Sequence, residues 1–200
     1  CSLMAIIDGN NSDKFNMINW SSIDTVLLDM DGTLLDLHFD NYFWQVFVPQ
    51  KFGQQNGLNL EESKAELYPR FHAQAGSLNW YCLDHWSEDL KLDIVALKQE
   101  LQHLIRPRAD AMAFLQALAK SNKQVWMVTN AHPDALKLKL LATQIAPYFD
   151  HIISSHQFGK PKEHIEFWQA LQHHLHFNPK RSLFIDDSEA VLATADKFGI

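Results

Sequence analysis

Cysteine is scarce in this chain of 200 residues: Cys1 and Cys82 are all it has, too few for a disulfide framework and in keeping with a reducing compartment. Long apolar runs are missing too. No stretch approaches the roughly 20 residues that cross a bilayer as a helix, and no basic segment precedes a long apolar one, so neither a membrane span nor an intact signal peptide is expected. Positive charge falls short of negative, with 17 Lys and Arg against 24 Asp and Glu for a net charge of −7. That balance disfavours non-specific nucleic-acid binding. Together these absences predict a cytoplasmic protein with neither a membrane nor a nucleic acid as partner. Internal repeats and low-complexity linkers are also absent.

What is present is apolar and aromatic. At 46% apolar and 12% aromatic residues, the chain is long enough for one well-buried core and a modest insertion. Cys82 reads as a small buried hydrophobe. Residues 8–16 are polar and turn-rich, which makes 1–19 an expected loose arm. A first residue of Cys points to a processed or trimmed terminus, and Met17 is an economical natural start. The end at Ile200 falls where another strand is due, which suggests truncation.

The informative stretch is Thr25-Val-Leu-Leu-Asp-Met-Asp-Gly-Thr-Leu-Leu-Asp36. An apolar strand ends in two carboxylates one residue apart, so Asp29 and Asp31 leave it on the same side. In an open α/β sheet the ligand crevice lies at the carboxyl ends of the strands, where these acids fall. Two like charges so close call for a cation or a shared proton. Gly32 supplies the backbone freedom for a sharp exit.

From about Phe39 to Ile105 the pattern is helical, with an aromatic stripe at Tyr42, Phe43, Val46 and Phe47, and with breaks expected at Asn56-Gly57, Pro69 and Gly76. Beyond Arg106-Pro107 strands and helices alternate. Helices are expected at 109–120, 133–146, 163–174 and 189–198, and strands at 124–129, 150–154 and 182–186, which implies a parallel sheet. Each later strand end carries chemistry. Thr129 and Asn130 precede a helix start and can cradle an anion. Phe158-Gly-Lys-Pro-Lys-Glu163 offers Lys160 and Lys162 to neutralise a transferring phosphoryl group. Leu183-Phe-Ile-Asp-Asp-Ser188 delivers two adjacent acids, of which one faces a metal while the other supports it.

Asp29-Met-Asp-Gly-Thr33 resembles the signature of the haloacid dehalogenase-like (HAD) superfamily of phosphatases and phosphotransferases, and the later strand ends follow in that superfamily's order. The resemblance implies an α/β fold: a Rossmann-like parallel sheet with helices on both faces, formed by 20–37 and 106–200, and an inserted all-helical cap of the C1 type over 38–105. It also implies Mg²⁺ held by Asp29, Asp187 and the backbone carbonyl of Asp31, with Asp186 supporting. Asp29 would be the nucleophile, Asp31 the general acid and base, and Thr129 a holder of phosphoryl oxygens. The superfamily lysine precedes a bulky apolar residue by six positions. Lys162 and Trp168 have that spacing, whereas Lys160 has the common Lys-Pro dipeptide; Lys162 is preferred and Lys160 is the alternate. The dehalogenases lack a second acid, so Asp31 favours phosphate ester chemistry.

Asp40-Asn-Tyr-Phe-Trp44, Leu78-Asn-Trp-Tyr-Cys-Leu-Asp84 and Thr129-Asn-Ala-His-Pro133 are similar to bacterial purine nucleotidases that act on GMP and IMP. That likeness implies a purine nucleoside monophosphate as substrate, bound by Thr129, Asn130 and Lys162 and by Phe43, Trp44 and Trp80 of the cap, since aromatic faces stack on nucleobases. A sugar-phosphate phosphatase or mutase would share the same core residues, and a non-catalytic binding module is the alternative outside enzymes. A phosphonate-cleaving relative would need a cap lysine, and Lys51, Lys64, Lys91 and Lys98 read as polar-face residues. Several of the eleven histidines, the His173-His174 pair included, invite a zinc hypothesis, but they show no convincing ligand spacing and are expected at the surface.

Overall fold

The structure is a computed structural model that describes residues 18–200; the polar stretch 8–16 and the start expected at Met17 lie outside the described residues. Four short strands, β1 (Thr25–Leu28), β2 (Gln124–Thr129), β3 (His151–Ser154) and β4 (Ser182–Ile185), form one parallel sheet in the order β3-β2-β1-β4. Register pairs Thr25 with Gln124 on one side and with Ser182 on the other. Three strands run outward in sequence and the fourth returns to the far side of β1. The order therefore reverses between β1 and β4, which is where an open α/β sheet forms its ligand crevice.

The sheet is covered on both faces, so its strands read as apolar runs rather than as alternations. Val26, Leu28, Val125 and Met127 face one apolar cluster, and Leu27, Trp126, Val128 and Ile153 face the other. Helices α7 (Ala111–Ala119) and α8 (Pro133–Thr143) pack on the first face through Phe114, Leu115 and Ala135. Helices α9 (Ile165–Leu175) and α10 (Glu189–Phe198) pack on the second through Phe167, Trp168 and Val191.

Between β1 and β2 the segment 38–104 holds helices joined by short turns and contains no strand. Helix α1 (His38–Tyr42) passes through a wide π-helical turn, Phe43–Phe47, into α2 (Val48–Asn56). Four more follow: α3 (Leu60–Gln74), α4 (Leu78–Tyr81), α5 (Leu83–Leu90) and α6 (Ile94–Glu100). Gly57 ends α2 in the left-handed conformation, with φ +71°. Pro69 does not break the chain as the sequence suggests; it sits inside α3. Both Pro69 and Ala65, whose carbonyl loses its helical partner there, are exposed. Water can serve that carbonyl, while buried Leu67 and Phe71 hold the helix across the gap.

The chain enters and leaves this cap through adjacent segments. The Asp36 N–H donates to the Arg106 carbonyl at 3.1 Å, and the Arg108 N–H to the Leu34 carbonyl at 2.9 Å. The cap has no separate core, because Phe39, Phe43, Phe71, Trp86 and Ile94 join the cluster under the first sheet face. Among the described residues no helix is long and apolar enough to cross a membrane.

Candidate active site

Asp29 is the first residue after β1, and Asp186 and Asp187 are the first two after β4. The Asp29 N–H donates to the Ile185 carbonyl at 2.9 Å, which locks the two strand ends side by side. Lys162 comes in from the loop before α9. Its Nζ donates to Asp29 Oδ1 at 2.5 Å, to Asp186 Oδ2 at 2.6 Å and to the Val128 carbonyl at 3.0 Å. Trp168 Nε1 donates to the Lys162 carbonyl at 2.9 Å, so the six-residue spacing is a physical link. Lys160 is exposed. Burial pushes the Asp29 carboxyl up to about 7, with the Lys162 ammonium opposing it and the Asp186 and Asp31 charges adding to it. Burial alone would lower the Lys162 pKa, but Asp29 and Asp186 outweigh it and hold it above the usual range.

Carboxylate oxygens of Asp29, Asp186 and Asp187 lie within 4.8 Å of one another. Three carboxylates facing one ammonium leave two net negative charges. An all-oxygen donor set with that excess fits a small hard divalent cation such as Mg²⁺. Gly32 belongs to the same cradle. Its φ is +86°, and a Cβ there would stand 2.1 Å from Asp187 Oδ2, so only glycine fits.

Asp31 faces a different set of partners. Lys139 of α8 donates from Nζ to Asp31 Oδ1 at 2.7 Å and to Asp40 Oδ2 at 2.6 Å. Lys98 of α6 donates to the other Asp40 oxygen at 2.9 Å. The result is a chain of two carboxylates and two ammonium groups from core and cap alike. Burial raises the Asp31 pKa although Lys139 opposes it. Burial acts upward on Asp40 too, but Lys139 and Lys98 together hold it far below the usual carboxylate range. Lys98 is thus no polar-face residue, as its sequence context suggests, but is 2% exposed. Its ammonium lies 4.3 Å from the Phe43 ring centroid and 4.7 Å from that of Phe39.

A cavity of about 630 Å³ opens between cap and core with Asp31 and Asp187 in its wall. Trp44, Tyr68, Phe71, Trp80 and Trp86 form its aromatic side. Trp44 and Trp80 are therefore where a base-stacking role needs them. Phe43 is not: it is fully buried, absent from the cavity wall, and serves as the platform beneath Lys98. Helical rotation decides this, because successive residues of the π-helical turn point to different sides of the helix.

Thr129 ends β2 with its Oγ1 accepting the Ala131 N–H at 3.0 Å. Asn130, expected to bind substrate, turns its amide to the lysine loop instead. Its Oδ1 accepts the Lys162 N–H and its Nδ2 donates to Glu163 Oε2, both at 2.9 Å. Tyr81 of the cap donates its hydroxyl to Glu163 Oε1 at 2.6 Å.

The haloacid dehalogenase-like hydrolase family model matches residues 23–199. GMP/IMP nucleotidase YrfG of Escherichia coli (strain K12) is 48% identical over 183 residues, covering 92% of this chain and 82% of that protein. The chain belongs to the haloacid dehalogenase-like hydrolases. Solved structures agree on the fold. A HAD phosphatase from Thermococcus onnurineus superposes with a TM-score of 0.79 at 20% identity, covering 89% of this chain and 84% of that one. A HAD family enzyme from Bacteroides thetaiotaomicron, solved in complex with magnesium and inorganic phosphate, gives 0.63 at 20% identity, covering 89% and 91%.

In this HAD-like hydrolase the sequence reading missed Asp40, Lys98 and Lys139. A signal existed: Lys139 follows the buried Ala135 by one helical turn, and Lys98 follows the buried Ile94 likewise, so periodicity sets both on apolar faces. It also missed His132 and His156, which converge with Cys82. No spacing rule links residues 82, 132 and 156.

Proposed function

We propose that this hydrolase cleaves a purine nucleoside 5′-monophosphate to nucleoside and phosphate, with Asp29 as the nucleophile. The observation that carries this reading is the aromatic cavity, which runs from the Asp31 and Asp187 wall into the cap and suits a planar base joined to a phosphate. The relative named a GMP/IMP nucleotidase supports the same substrate class.

Asp29 attacks phosphorus, and the bond to the ester oxygen breaks. Asp31 gives its proton to that oxygen, so the nucleoside leaves neutral. Lys139 occupies Asp31 Oδ1, which leaves Oδ2 for this transfer, and the raised Asp31 pKa keeps the acid form available. Asp31 then takes a proton from water, whose oxygen attacks phosphorus. The bond to Asp29 breaks, and inorganic phosphate departs. Lys162 stabilises the equatorial oxygens, and the Thr129 hydroxyl proton is free to do the same. Asp29, Asp186 and Asp187, with the Asp31 carbonyl, would hold Mg²⁺, which when bound neutralises the excess charge, favours ionised Asp29 and draws charge from the phosphoryl group.

Phosphate release from 5′-nucleotides and sugar phosphates, with Mg²⁺ and with EDTA, tests this. Mg²⁺-dependent release that prefers GMP and IMP is the expected result, and preference for a sugar phosphate would overturn the nucleotide assignment. Lys98 lines the same cavity with its pKa lowered by burial, the property an imine-forming lysine needs. The panel therefore includes phosphonoacetaldehyde, whose turnover would replace the ester reading.

A further inference from the structure

Outside the carboxylate cluster, three metal-ligating side chains from distant parts of the chain converge. Cys82 lies between α4 and α5 of the cap, His132 caps the start of α8, and His156 follows β3. One ligand atom from each falls within 4.8 Å of the others. The two imidazoles meet edge to face, with centroids 5.1 Å apart and planes at 81°. All three are at least partly buried, and His132 is 8% exposed.

Nε2 of His156 is buried and has no hydrogen-bond partner, which is rare for a buried polar atom and leaves it open to a metal. Burial, with the neighbouring His132 beside it, holds the His156 pKa below the usual imidazole range. His132 Nδ1 accepts the Asp134 N–H at 3.3 Å as the cap of α8, which leaves Nε2, 3.5 Å from Asp84 Oδ2, as the nitrogen that the cap does not use.

We propose that Cys82, His132 and His156 form a Zn²⁺ site, separate from the carboxylate cluster, that ties the cap to the core. One thiolate and two imidazoles are the donors Zn²⁺ takes and Mg²⁺ declines. Asp84, at the start of α5, stands beside His132 as a neighbouring carboxylate, and water can complete the fourth position. Binding releases the Cys82 thiol proton. One ligand then belongs to the cap and two to the core, while His132 also lines the substrate cavity. A bound ion opposes any cap opening that admits substrate or lets product go. The site stands on its own geometry, whatever the substrate.

The test is titration of the full chain, in saturating Mg²⁺, first with Co²⁺ and then with Zn²⁺. The expected result is one ion per chain, a thiolate-to-cobalt charge-transfer band, and its loss when Zn²⁺ displaces Co²⁺. Cys82→Ser should abolish the band and weaken Zn²⁺ binding by more than about 100-fold, since losses of supporting residues alone reach roughly 10–100-fold. His156→Gln should weaken both. Absence of the band in the unmodified chain, or a band of unchanged affinity in His156→Gln, would overturn the site. Turnover supplies the second readout. Stoichiometric Zn²⁺ should slow the unmodified enzyme but not Cys82→Ser, and equal slowing of both would overturn the clamp.

Discussion

Two clusters of four charged groups meet at the floor of the cavity, and they are built on opposite plans. Asp31, Lys139, Asp40 and Lys98 balance: each acid faces an ammonium, and two acids match two ammonium groups. Asp29, Asp186, Asp187 and Lys162 do not, because one ammonium serves three acids. The balanced set needs nothing from outside and joins α1, α6 and α8 across the line between cap and core. The unbalanced set carries an excess of negative charge, which suits the proposed Mg²⁺. The difference teaches that acidic residues a few ångströms apart differ in their need for a cation according to the count of neighbouring ammonium groups.

Removing Asp29, the proposed nucleophile, from the unbalanced cluster should have the largest effect. Asp29→Asn is expected to lose more than about 10³-fold in turnover, beyond the cost of a single charge-stabilising donor, while metal-free Tm holds or rises because a repelling charge is gone. Phosphate release and thermal melts in EDTA measure both; a fall in metal-free Tm would show that the cluster is balanced after all.

Breaking the balanced cluster should cost stability first. Lys139→Met leaves Asp31 without an ammonium and Asp40 with Lys98 alone, and loss of a buried partner costs about 3 kcal/mol. Urea unfolding reads that cost. The kcat should fall with it, by up to about 100-fold, because Asp31 loses the group that orients it. Unchanged stability would mean that the chain of charges does not hold the cap.

Asp187→Asn should spare the fold and raise the Mg²⁺ concentration for half-maximal rate by about tenfold or more. An unchanged Mg²⁺ requirement would remove Asp187 from the metal site. The clusters should also differ in pH dependence. Asp29 has its folded pKa raised to about 7, so the stability it contributes is present below the unfolded value of about 3.9 and is lost as pH rises to 7. Metal-free protein should therefore weaken between about pH 4 and 7, and saturating Mg²⁺ should remove that slope. Asp40 is depressed, so its contribution persists above the ordinary carboxylate range and is lost only as pH falls through its folded value. The smallest effect belongs to a charge pair outside both clusters. Arg181 and Asp24 are bonded but solvated, so Arg181→Ala should leave Tm unchanged within scatter.

The sheet, its helices and the acids at the strand ends were legible in the sequence because each depends on local order. An apolar run followed by Asp29 or Asp186 sets a carboxylate at a strand end whatever surrounds it, and Lys162 with Trp168 marks one loop by a fixed spacing. Strand β2 and helix α10 fell within their expected bounds for the same reason. Tertiary structure alone decided which acids find cations. Asp40 meets Lys98 and Lys139 across separations of 58 and 99 residues, and Cys82 meets His132 and His156 only because the cap folds over the core. It also decided that Phe43 supports while Trp44 lines the cavity, since the rotation of one helix against its neighbours chooses between adjacent rings. Local patterns fix what a segment can present; the packing of segments distant in sequence fixes what each group faces, and so its charge and its chemistry.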